Sequence, residues 1–358
     1  LNHSGTATIS SANAGSYTIT NLSGISIADG SGGTASNYTL TGGTHNFTVD
    51  RRAVSVSGTR LYDATTNAVA SDLSTHANLV GSETLNLSGT GTIASKNVGS
   101  NKTVSVGTLA LADGSNGGLA ANYTLTGGTH QLTVNQRPLN ATLARQYDGT
   151  TTAAGSDLSS FDALQGGETL TMTGSGTAAS ANVANGIAMS SNGTLALADG
   201  TGSASNYSLN STVINIAQRV LNSSGSKTYD ANTDALAAAI TLSNLVSGEA
   251  LNHSGTATIG SANAGSYTIT NLAGITIADG SGGAASNYTL TGGTHDFTIN
   301  QRPLAATIAR QYDGTTTAAG SDLSSFDALQ GGETLTMAGS GTAASANVAN
   351  GIAMSSNG

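Results

Sequence analysis

The chain has 358 residues, of which 48 are glycine, none is cysteine and only 9% are charged. Its formal net charge of −9, with 11 lysines and arginines, opposes nucleic-acid binding, which requires clustered basic side chains. Disulfide bonds are excluded, and no stretch approaches 18 apolar residues, so we expect no membrane insertion in this segment.

Repetition is the dominant feature along the chain. Residues 1–49 return almost unchanged at 251–299, and residues 136–169 return at 301–334 with two substitutions. A Tyr-Asp pair recurs in steps of 85, 82 and 83 residues, which gives the underlying period. The pairs are Tyr62 with Asp63, Tyr147 with Asp148, Tyr229 with Asp230, and Tyr312 with Asp313. Because a catalytic site is normally built once, repetition of one module favours a role in length or valency.

Gln-Arg segments divide the chain into repeats. In chain order we predict the C-terminal part of a repeat at 1–50, complete repeats at 51–135, 136–217 and 218–300, and the N-terminal part of another at 301–358. The only two prolines lie at these junctions, which predicts short stiff linkers at Arg137, Pro138, Arg302 and Pro303. Because the chain starts and stops within a repeat, we expect it to belong to a longer protein.

Within each repeat, apolar residues mostly alternate with Thr, Ser and Gly. This period of two predicts half-buried strands, as at Leu132 and Val134, separated by glycine-containing turns. The predicted fold is all-β, a tandem array of glycine-rich domains of about 83 residues that forms an elongated stalk. A continuous β-solenoid is the alternative, although it requires a shorter subperiod, which the sequence lacks.

One segment departs from the alternation. Leu158, Phe161 and Leu164 are spaced three apart, which predicts one or two helical turns. Phe161 and its copy Phe326 are large apolar groups in an aromatic-poor chain, so we expect both to fill the cores of their repeats.

Further markers recur in the same order, and each has a structural and a chemical interpretation. Ala-Asp-Gly turns recur at Asp29, Asp113, Asp199 and Asp279. These turns could supply ligands to calcium, but one carboxylate per turn is too few to bind the ion alone. The Tyr-Asp pairs could likewise bind calcium or a sugar. We therefore favour tyrosines packed at domain edges and aspartates that cap turns, and we expect no cofactor, with calcium as the remaining alternative.

Glutamates and histidines are the remaining candidates for chemistry. A glutamate follows a turn in each repeat, and solvated turn positions are favoured over a paired-carboxylate glycosidase site. Three histidines in Thr-Gly-Gly-Thr-His turns lack the partners that zinc binding or acid–base catalysis requires. We therefore predict that the chain is not an enzyme. The residues concerned are Glu83, Glu168, Glu249, Glu333, His45, His130 and His295.

The ordered set of markers resembles a known family. Tyr-Asp-Gly-Thr-Thr, Gly-Glu-Thr-Leu, Ala-Asp-Gly and Asn-Tyr-Thr-Leu together are similar to YDG and related mostly-β, glycine-rich (MBG) repeats, and the resemblance covers essentially the whole chain. Such repeats occur in very large bacterial surface proteins, often of the filamentous-haemagglutinin type exported by two-partner secretion. Ala64 and Ala231 replace the glycine of the family pattern, which argues against an obligatory positive φ at this position.

The resemblance implies an extracellular, cell-surface structural region of an adhesin or biofilm-matrix fibre. The expected partners are neighbouring copies of the fibre, exopolysaccharide, and host or neighbouring cell surfaces. The alternative is that each repeat is itself a glycan-binding module, for which exposed aromatic platforms would be needed.

Overall fold

The structure is a computed structural model that describes residues 1–356, and it is all-β. Residues 1–50 contain β1 (Asn2–Gly5), β2 (Gly15–Thr18), β3 (Ile25–Ala28) and β4 (Asn46–Val49). They form two antiparallel pairs, β1 with β3 and β2 with β4. No helix of the described residues is long and apolar enough to cross a membrane.

Residues 51–135 contain ten strands in a compact repeat. Their bounds are β5 (Arg52–Ala53), β6 (Ser55–Leu61), β7 (Asn67–Val69), β8 (Thr75–Ala77), β9 (Leu85–Ser88), β10 (Thr90–Ile93), β11 (Gly99–Ser105), β12 (Ala110–Asp113), β13 (Tyr123–Thr124) and β14 (His130–Asn135). Six of them form a sheet in the order β7-β10-β11-β14-β6-β8, while β12 pairs with β9 and β13 with β5.

The central pair of this sheet determines where the chain enters and leaves the repeat. The first long strand, β6, and the last, β14, are parallel, and Leu61 is paired with Asn135. Parallel neighbours run in the same direction, so the chain leaves the repeat at the end opposite to its entry. Tyr62 follows β6 directly and its backbone N–H donates to the Asn135 carbonyl at 2.9 Å, which places it at the exit end.

The same plan recurs in the following repeats. Residues 136–217 contain β15 (Arg137–Gln146), β16 (Thr152–Ala154), β17 (Leu158–Phe161), β18 (Leu170–Thr173), β19 (Ser175–Ala178), β20 (Ala184–Ser191), β21 (Ala196–Asp199) and β22 (Tyr207–Ala217). Residues 218–300 contain β23 (Arg219–Val220), β24 (Asn222–Thr228), β25 (Asp234–Leu236), β26 (Ile240–Ser243), β27 (Leu251–Ile259), β28 (Gly265–Asn271), β29 (Ile275–Asp279), β30 (Tyr288–Thr289) and β31 (His295–Asn300).

Sheet orders confirm that these are copies of one domain. The orders are β16-β19-β20-β22-β15-β17 and β25-β27-β28-β31-β24-β26, and β24 is parallel to β31 as β6 is to β14. Residues 301–356 contain β32 (Ala306–Ile308), β33 (Thr317–Ala319), β34 (Leu323–Phe326), β35 (Ser340–Ala343) and β36 (Met354–Ser356). Every sheet within residues 1–356 takes its strands from a single repeat, which is the arrangement of tandem domains and not of a continuous solenoid.

Alternation of apolar and polar residues produces the core, as the sequence predicts. In β14, Leu132 and Val134 are fully buried and lie against Val54 and Val56. Residues 218–300 have an equivalent cluster that includes Phe297 and Ile299. Burial of side chains of this size stabilises a small domain by roughly 1.5–3 kcal/mol each.

The predicted helical turns are wrong. Residues Gly155–Asp157 form a three-residue 3-10 helix, and Leu158–Phe161 is strand β17, whose backbone pairs with β15. Short 3-10 helices of this kind occur at eight places within residues 1–356. Phe161 and Phe326 are half-buried, so neither is the fully buried core residue predicted. Phe161 packs against the core cluster from β17, which is the edge strand of its sheet.

By its contacts the chain divides into two compact units. The first comprises Leu1–Leu143, Ala153–Gly176 and Ser191–Val213, and the second comprises Ala144–Thr152, Thr177–Ser190 and Ile214–Gly358. Each unit contains at least one boundary between consecutive repeats. The boundaries after residues 135, 217 and 300 are called the first, second and third joints below.

Candidate functional site: the joints between repeats

The first joint brings together the tyrosines and the glutamate that mark the repeats. The Tyr62 hydroxyl donates to Oε1 of Glu168 at 2.6 Å, and the Tyr207 hydroxyl donates to Oε2 at 2.8 Å. The two rings stand edge to face with centroids 5.3 Å apart. Tyr62 and Tyr207 are 0% and 2% exposed, so both buried hydroxyls need a hydrogen-bond acceptor, and this carboxylate provides it.

Local structure explains why these three side chains meet. Tyr62 stands at the exit end of its repeat, beside Asn135, the last residue before the next repeat. The equivalents of Tyr207 stand at the entry end, because Tyr123 pairs with Arg52 and Tyr288 with Arg219 at the start of their own repeats. Glu168 lies just after two glycines with positive φ that turn the chain back toward this end.

The second joint repeats this geometry. The Tyr147 hydroxyl donates to Oε1 of Glu249 at 2.6 Å, and the Tyr288 hydroxyl donates to Oε2 at 2.6 Å. The ring centroids are 5.5 Å apart, again edge to face. The backbone N–H of Val246 donates to the Tyr288 hydroxyl at 3.0 Å, so this hydroxyl is both donor and acceptor.

At the third joint the Tyr229 hydroxyl donates to Oε1 of Glu333, beside a cavity of about 490 Å³. Tyr312, the last of the Tyr-Asp tyrosines, is 67% exposed. Three of the four predicted tyrosines therefore lie in joints. The prediction that the glutamates are solvated turn residues is wrong for Glu168 and Glu249, which are half-buried carboxylates that bind two tyrosines each.

Electrostatics differ between the first two joints. Lys96 donates to Oε1 of Glu168 at 2.6 Å, and the second joint has an alanine, Ala181, at the corresponding position. Burial by itself raises the pKa of Glu168, but the hydrogen bonds from Lys96, Tyr62 and Tyr207 outweigh it and the net pKa is lowered. Burial and the glutamate hydrogen bond raise the pKa of Tyr147 to about 12, and burial also raises the pKa of Tyr207 to about 12.

An asparagine makes a second contact at the first and second joints. Asn206 Oδ1 accepts the backbone N–H of Val98 at 2.9 Å, while its Nδ2 donates to Oδ1 of Asn97 at 3.1 Å. Asn287 makes the same two bonds to Val183 and Asn182, both at 3.0 Å. Asn206 and Asn287 are 1% and 2% exposed, so these two joints are each fixed at two separate points.

Sequence comparison agrees with this repeated geometry. Four consecutive segments, residues 48–131, 130–214, 217–295 and 298–358, match the YDG domain. The chain belongs to the YDG domain family. No curated protein is similar enough to match it.

The predicted linker residues differ between the two junctions. Arg137 and Pro138 are inside β15, so only Gln136 separates the last strand of one repeat from the first of the next. Arg302 and Pro303 lie outside any strand. Arg137 Nε donates to the Tyr62 carbonyl at 2.7 Å, and Arg302 Nε donates to the Tyr229 carbonyl at 2.7 Å. The arginines thus hold the exit end of the preceding repeat.

The aspartates of the Tyr-Asp pairs shape turns. Oδ1 of Asp63, Asp148 and Asp313 each accepts the backbone N–H two residues later at 2.9 Å, and Asp230 does so at 3.2 Å. Each also forms an ion pair with the arginine or lysine three residues earlier. These carboxylates therefore cap turns, as the sequence indicates.

The residue after each Tyr-Asp pair has a positive φ in all four YDG copies. Gly149 and Gly314 have φ of 78° and 79°, while Ala64 and Ala231 have 63° and 62°. The expectation that alanine at this position argues against positive φ is wrong, because the Asx-type turn is kept and alanine adopts the left-handed conformation. A left-handed alanine costs roughly 1–2 kcal/mol relative to its preferred conformations.

The remaining predicted positions have local partners. Oδ1 of Asp29, Asp113, Asp199 and Asp279 accepts the first backbone N–H of a 3-10 helix, that of Ala35, Ala120, Ala204 and Ala285 respectively. Within residues 1–356 no group of three or more His, Asp or Glu side chains is arranged to hold a metal ion. Nε2 of His45, His130 and His295 lies 2.7–2.9 Å from the carbonyl oxygen of the leucine five residues earlier.

Sequence reasoning found the joint residues but not their pairing. Tyr62 and Glu168 are 106 residues apart, and Tyr147 and Glu249 are 102 apart, more than one period in each case. The roles of Lys96, Asn206 and Asn287 were not anticipated. The available signal was the recurrence of Asn-Tyr at a fixed place in every repeat.

Proposed function

We propose that this chain is a structural repeat region of a large extracellular bacterial adhesin or biofilm-matrix fibre, in which YDG repeats provide length and weak multivalent contacts. The observation that carries the proposal is the recurrence of one joint. At the first and second joints a tyrosine at the exit end of one repeat and a glutamate–tyrosine pair at the entry end of the next form the same bonds. The tyrosine–glutamate bond recurs at the third joint.

Repeat topology supports a role in length. Parallel pairing of the first and last long strands puts entry and exit at opposite ends of each repeat. An array of such repeats would therefore gain length with each added domain. Two contact points at the first and second joints restrain bending and rotation between the repeats that they join.

Aromatic placement favours this function over the rival hypothesis of a glycan-binding module. Glycan sites usually present exposed aromatic faces. In the complete repeats Tyr62, Tyr147, Tyr207 and Tyr288 are at most 5% exposed and serve the joints. Polysaccharide contacts would instead be made by the Thr-, Ser- and Asn-rich surface and would be weak individually, so valency would determine their strength.

The proposed extracellular fibre needs neither catalysis nor a cofactor. The proposed partners are neighbouring copies of the fibre, exopolysaccharide, and host or neighbouring cell surfaces. Nucleic acid is disfavoured by the net charge of −9. Export by two-partner secretion is part of the proposal and rests on the resemblance of the repeats alone.

The length role is tested by deletion of residues 136–300. Because residues 301–334 repeat 136–169 with two substitutions, the new junction is nearly the same as the native one. We expect electron microscopy and small-angle X-ray scattering to give a maximum dimension shorter by two domains, with the β-sheet circular dichroism per residue unchanged. An unchanged maximum dimension would refute the length role.

Localisation and ligand need separate measurements. Antibodies to the repeats should label intact cells of the producing bacterium. A glycan array with the full chain should give only weak binding that disappears at low surface density. Binding that persists at low density would support the glycan-binding module instead, and absence of labelling on intact cells would contradict the surface location.

A further inference from the structure

Two positions at the joints vary together along the chain. The residue after the Tyr-Asp pair is alanine at Ala64 and Ala231 but glycine at Gly149. The segment before the joint glutamate reads Gln-Gly-Gly in the repeats that follow the alanines and Val-Ser-Gly in the repeat that follows Gly149. The structure explains this pairing by direct contact.

At the first joint the alanine leaves no space for a side chain opposite. A Cβ added at Gly166 would lie 2.8 Å from the Ala64 Cβ, closer than carbon atoms approach in proteins. The third joint is alike, since a Cβ at Gly331 would lie 3.1 Å from the Ala231 Cβ. An alanine after Tyr-Asp is thus matched to a glycine in the next repeat, with a clash at the first joint and a tight contact at the third if that glycine gained a side chain.

At the second joint the relationship is reversed. A Cβ added at Gly149 would lie 2.9 Å from Cγ1 of Val246. The valine of the following repeat occupies the space that an alanine at position 149 would need. A glycine after Tyr-Asp is thus matched to a repeat whose valine packs against that position.

We infer that these pairs are specificity determinants that match each repeat to its successor. Repeats 51–135 and 218–300 present alanine at their exit ends and fit a successor with the double glycine. Repeat 136–217 presents glycine and accepts a successor with valine. The partner recognised by each exit surface is therefore a YDG repeat of the other type, and the alternating order is favoured by packing at the joint. This property goes beyond provision of length, which any order of repeats would satisfy.

Amide hydrogen exchange in the full chain tests the first joint. The Val98 amide is bonded across this joint to Asn206, and the Val183 amide is bonded across the second joint to Asn287, so each reports one joint. Gly166→Ala should accelerate exchange at Val98 at least tenfold and leave Val183 unchanged. Adding Ala64→Gly should remove most of that acceleration.

Gly167→Ala is the matched control for backbone strain. Gly166 and Gly167 have φ of 61° and 72°, but a Cβ at Gly167 meets nothing within 4 Å. Gly167→Ala should therefore accelerate exchange at Val98 less than Gly166→Ala does, and Ala64→Gly should not compensate for it. Unchanged exchange of β14 and β22 amides would show that both repeats remain folded in all variants.

The second joint provides the reciprocal test. Gly149→Ala should accelerate exchange at Val183 at least tenfold, and Val246→Ala should restore protection. Gly314→Ala is the control for backbone strain in this turn. Gly314 has φ of 79°, and a Cβ added there would have a tyrosine hydroxyl oxygen at 3.9 Å as its nearest neighbour. Equal exchange rates in the single and compensated variants, at either joint, would overturn the inference.

Discussion

The first and second joints share one geometry but differ in one charge. Each has a glutamate between two buried tyrosines, with hydrogen bonds of 2.6–2.8 Å. The Glu168 carboxylate has Lys96 as a third donor, whereas the Glu249 carboxylate accepts from Tyr147 and Tyr288. The comparison teaches that the tyrosine–glutamate unit is sufficient for a joint and that the lysine is an addition to it.

Removal of the carboxylate should have the largest effect on either joint. Glu168→Ala and Glu249→Ala each leave two buried tyrosine hydroxyls without an acceptor, at a cost of roughly 1–3 kcal/mol per hydroxyl. We expect each joint to lose about 2–6 kcal/mol, measured as faster amide exchange at Val98 or Val183. Glu168→Gln, which keeps an acceptor and the side-chain shape, is the control and should lose less. Equal loss in both variants would contradict the hydrogen-bonding role.

High pH should weaken both joints next. Burial raises the pKa of Tyr207 and Tyr147 from 10.0 to about 12. A tyrosine with a higher pKa in the folded state contributes its full stability below pH 10, and that contribution is lost as pH rises toward about 12. Ultraviolet titration should show late phenolate formation that coincides with loss of β-sheet circular dichroism. Tyr147→Phe should remove part of the late phase, and titration of every tyrosine near its ordinary pKa would refute this expectation.

Loss of one hydroxyl should distinguish the two joints. Tyr62→Phe and Tyr147→Phe keep the ring packing and remove one hydrogen bond, which is worth about 1 kcal/mol. We expect the larger acceleration of exchange for Tyr147→Phe, because Glu249 then keeps one donor while Glu168 keeps two. The reverse order would mean that Lys96 does not compensate for the missing hydroxyl.

Lys96→Gln should have the smallest effect, because the Lys96 side chain is 42% exposed. Its hydrogen bond helps to lower the pKa of Glu168, so the associated stability is present above pH 4.5 and is lost as pH falls below it. The variant should make the first joint less dependent on salt and should reduce the fall in its stability between neutral and acidic pH. Val98 exchange across pH and salt measures this, with Val183 as the internal control.

Much of the fold was predictable because it depends on local pattern. Alternation placed Leu132 and Val134 in a strand with one buried face, and repetition identified tandem domains. The spacing of Leu158, Phe161 and Leu164 predicts helical turns, and this prediction is wrong. Strand pairing between β17 and β15 overrides such a short local periodicity. The φ angle of Ala64 was predicted wrongly, because the turn, with its Asp63 hydrogen bonds, imposes a positive φ on alanine.

The joints were only partly predictable. Recurrence identified Tyr62 and Glu168 as important but gave no reason to connect positions more than one period apart. Their meeting depends on the parallel pairing of β6 and β14, which places the tyrosine at the exit end. That pairing joins the first and last strands of a domain, and a local reading of the sequence contains no signal for it. The contact between Ala64 and Gly166 likewise emerges only from three-dimensional packing.

Burial of the joint asparagines has a consequence for the choice of production host. Asn206 and Asn287 each precede Tyr and then Ser or Thr, the acceptor triplet for N-linked glycosylation. A eukaryotic secretory pathway would modify these amides on the emerging chain, and a bulky glycan has no room in joints where Asn206 and Asn287 are 1% and 2% exposed. Bacterial expression avoids this modification. In a eukaryotic host, substitution of Ser208 and Thr289 by alanine would keep the amides and remove these acceptor sites.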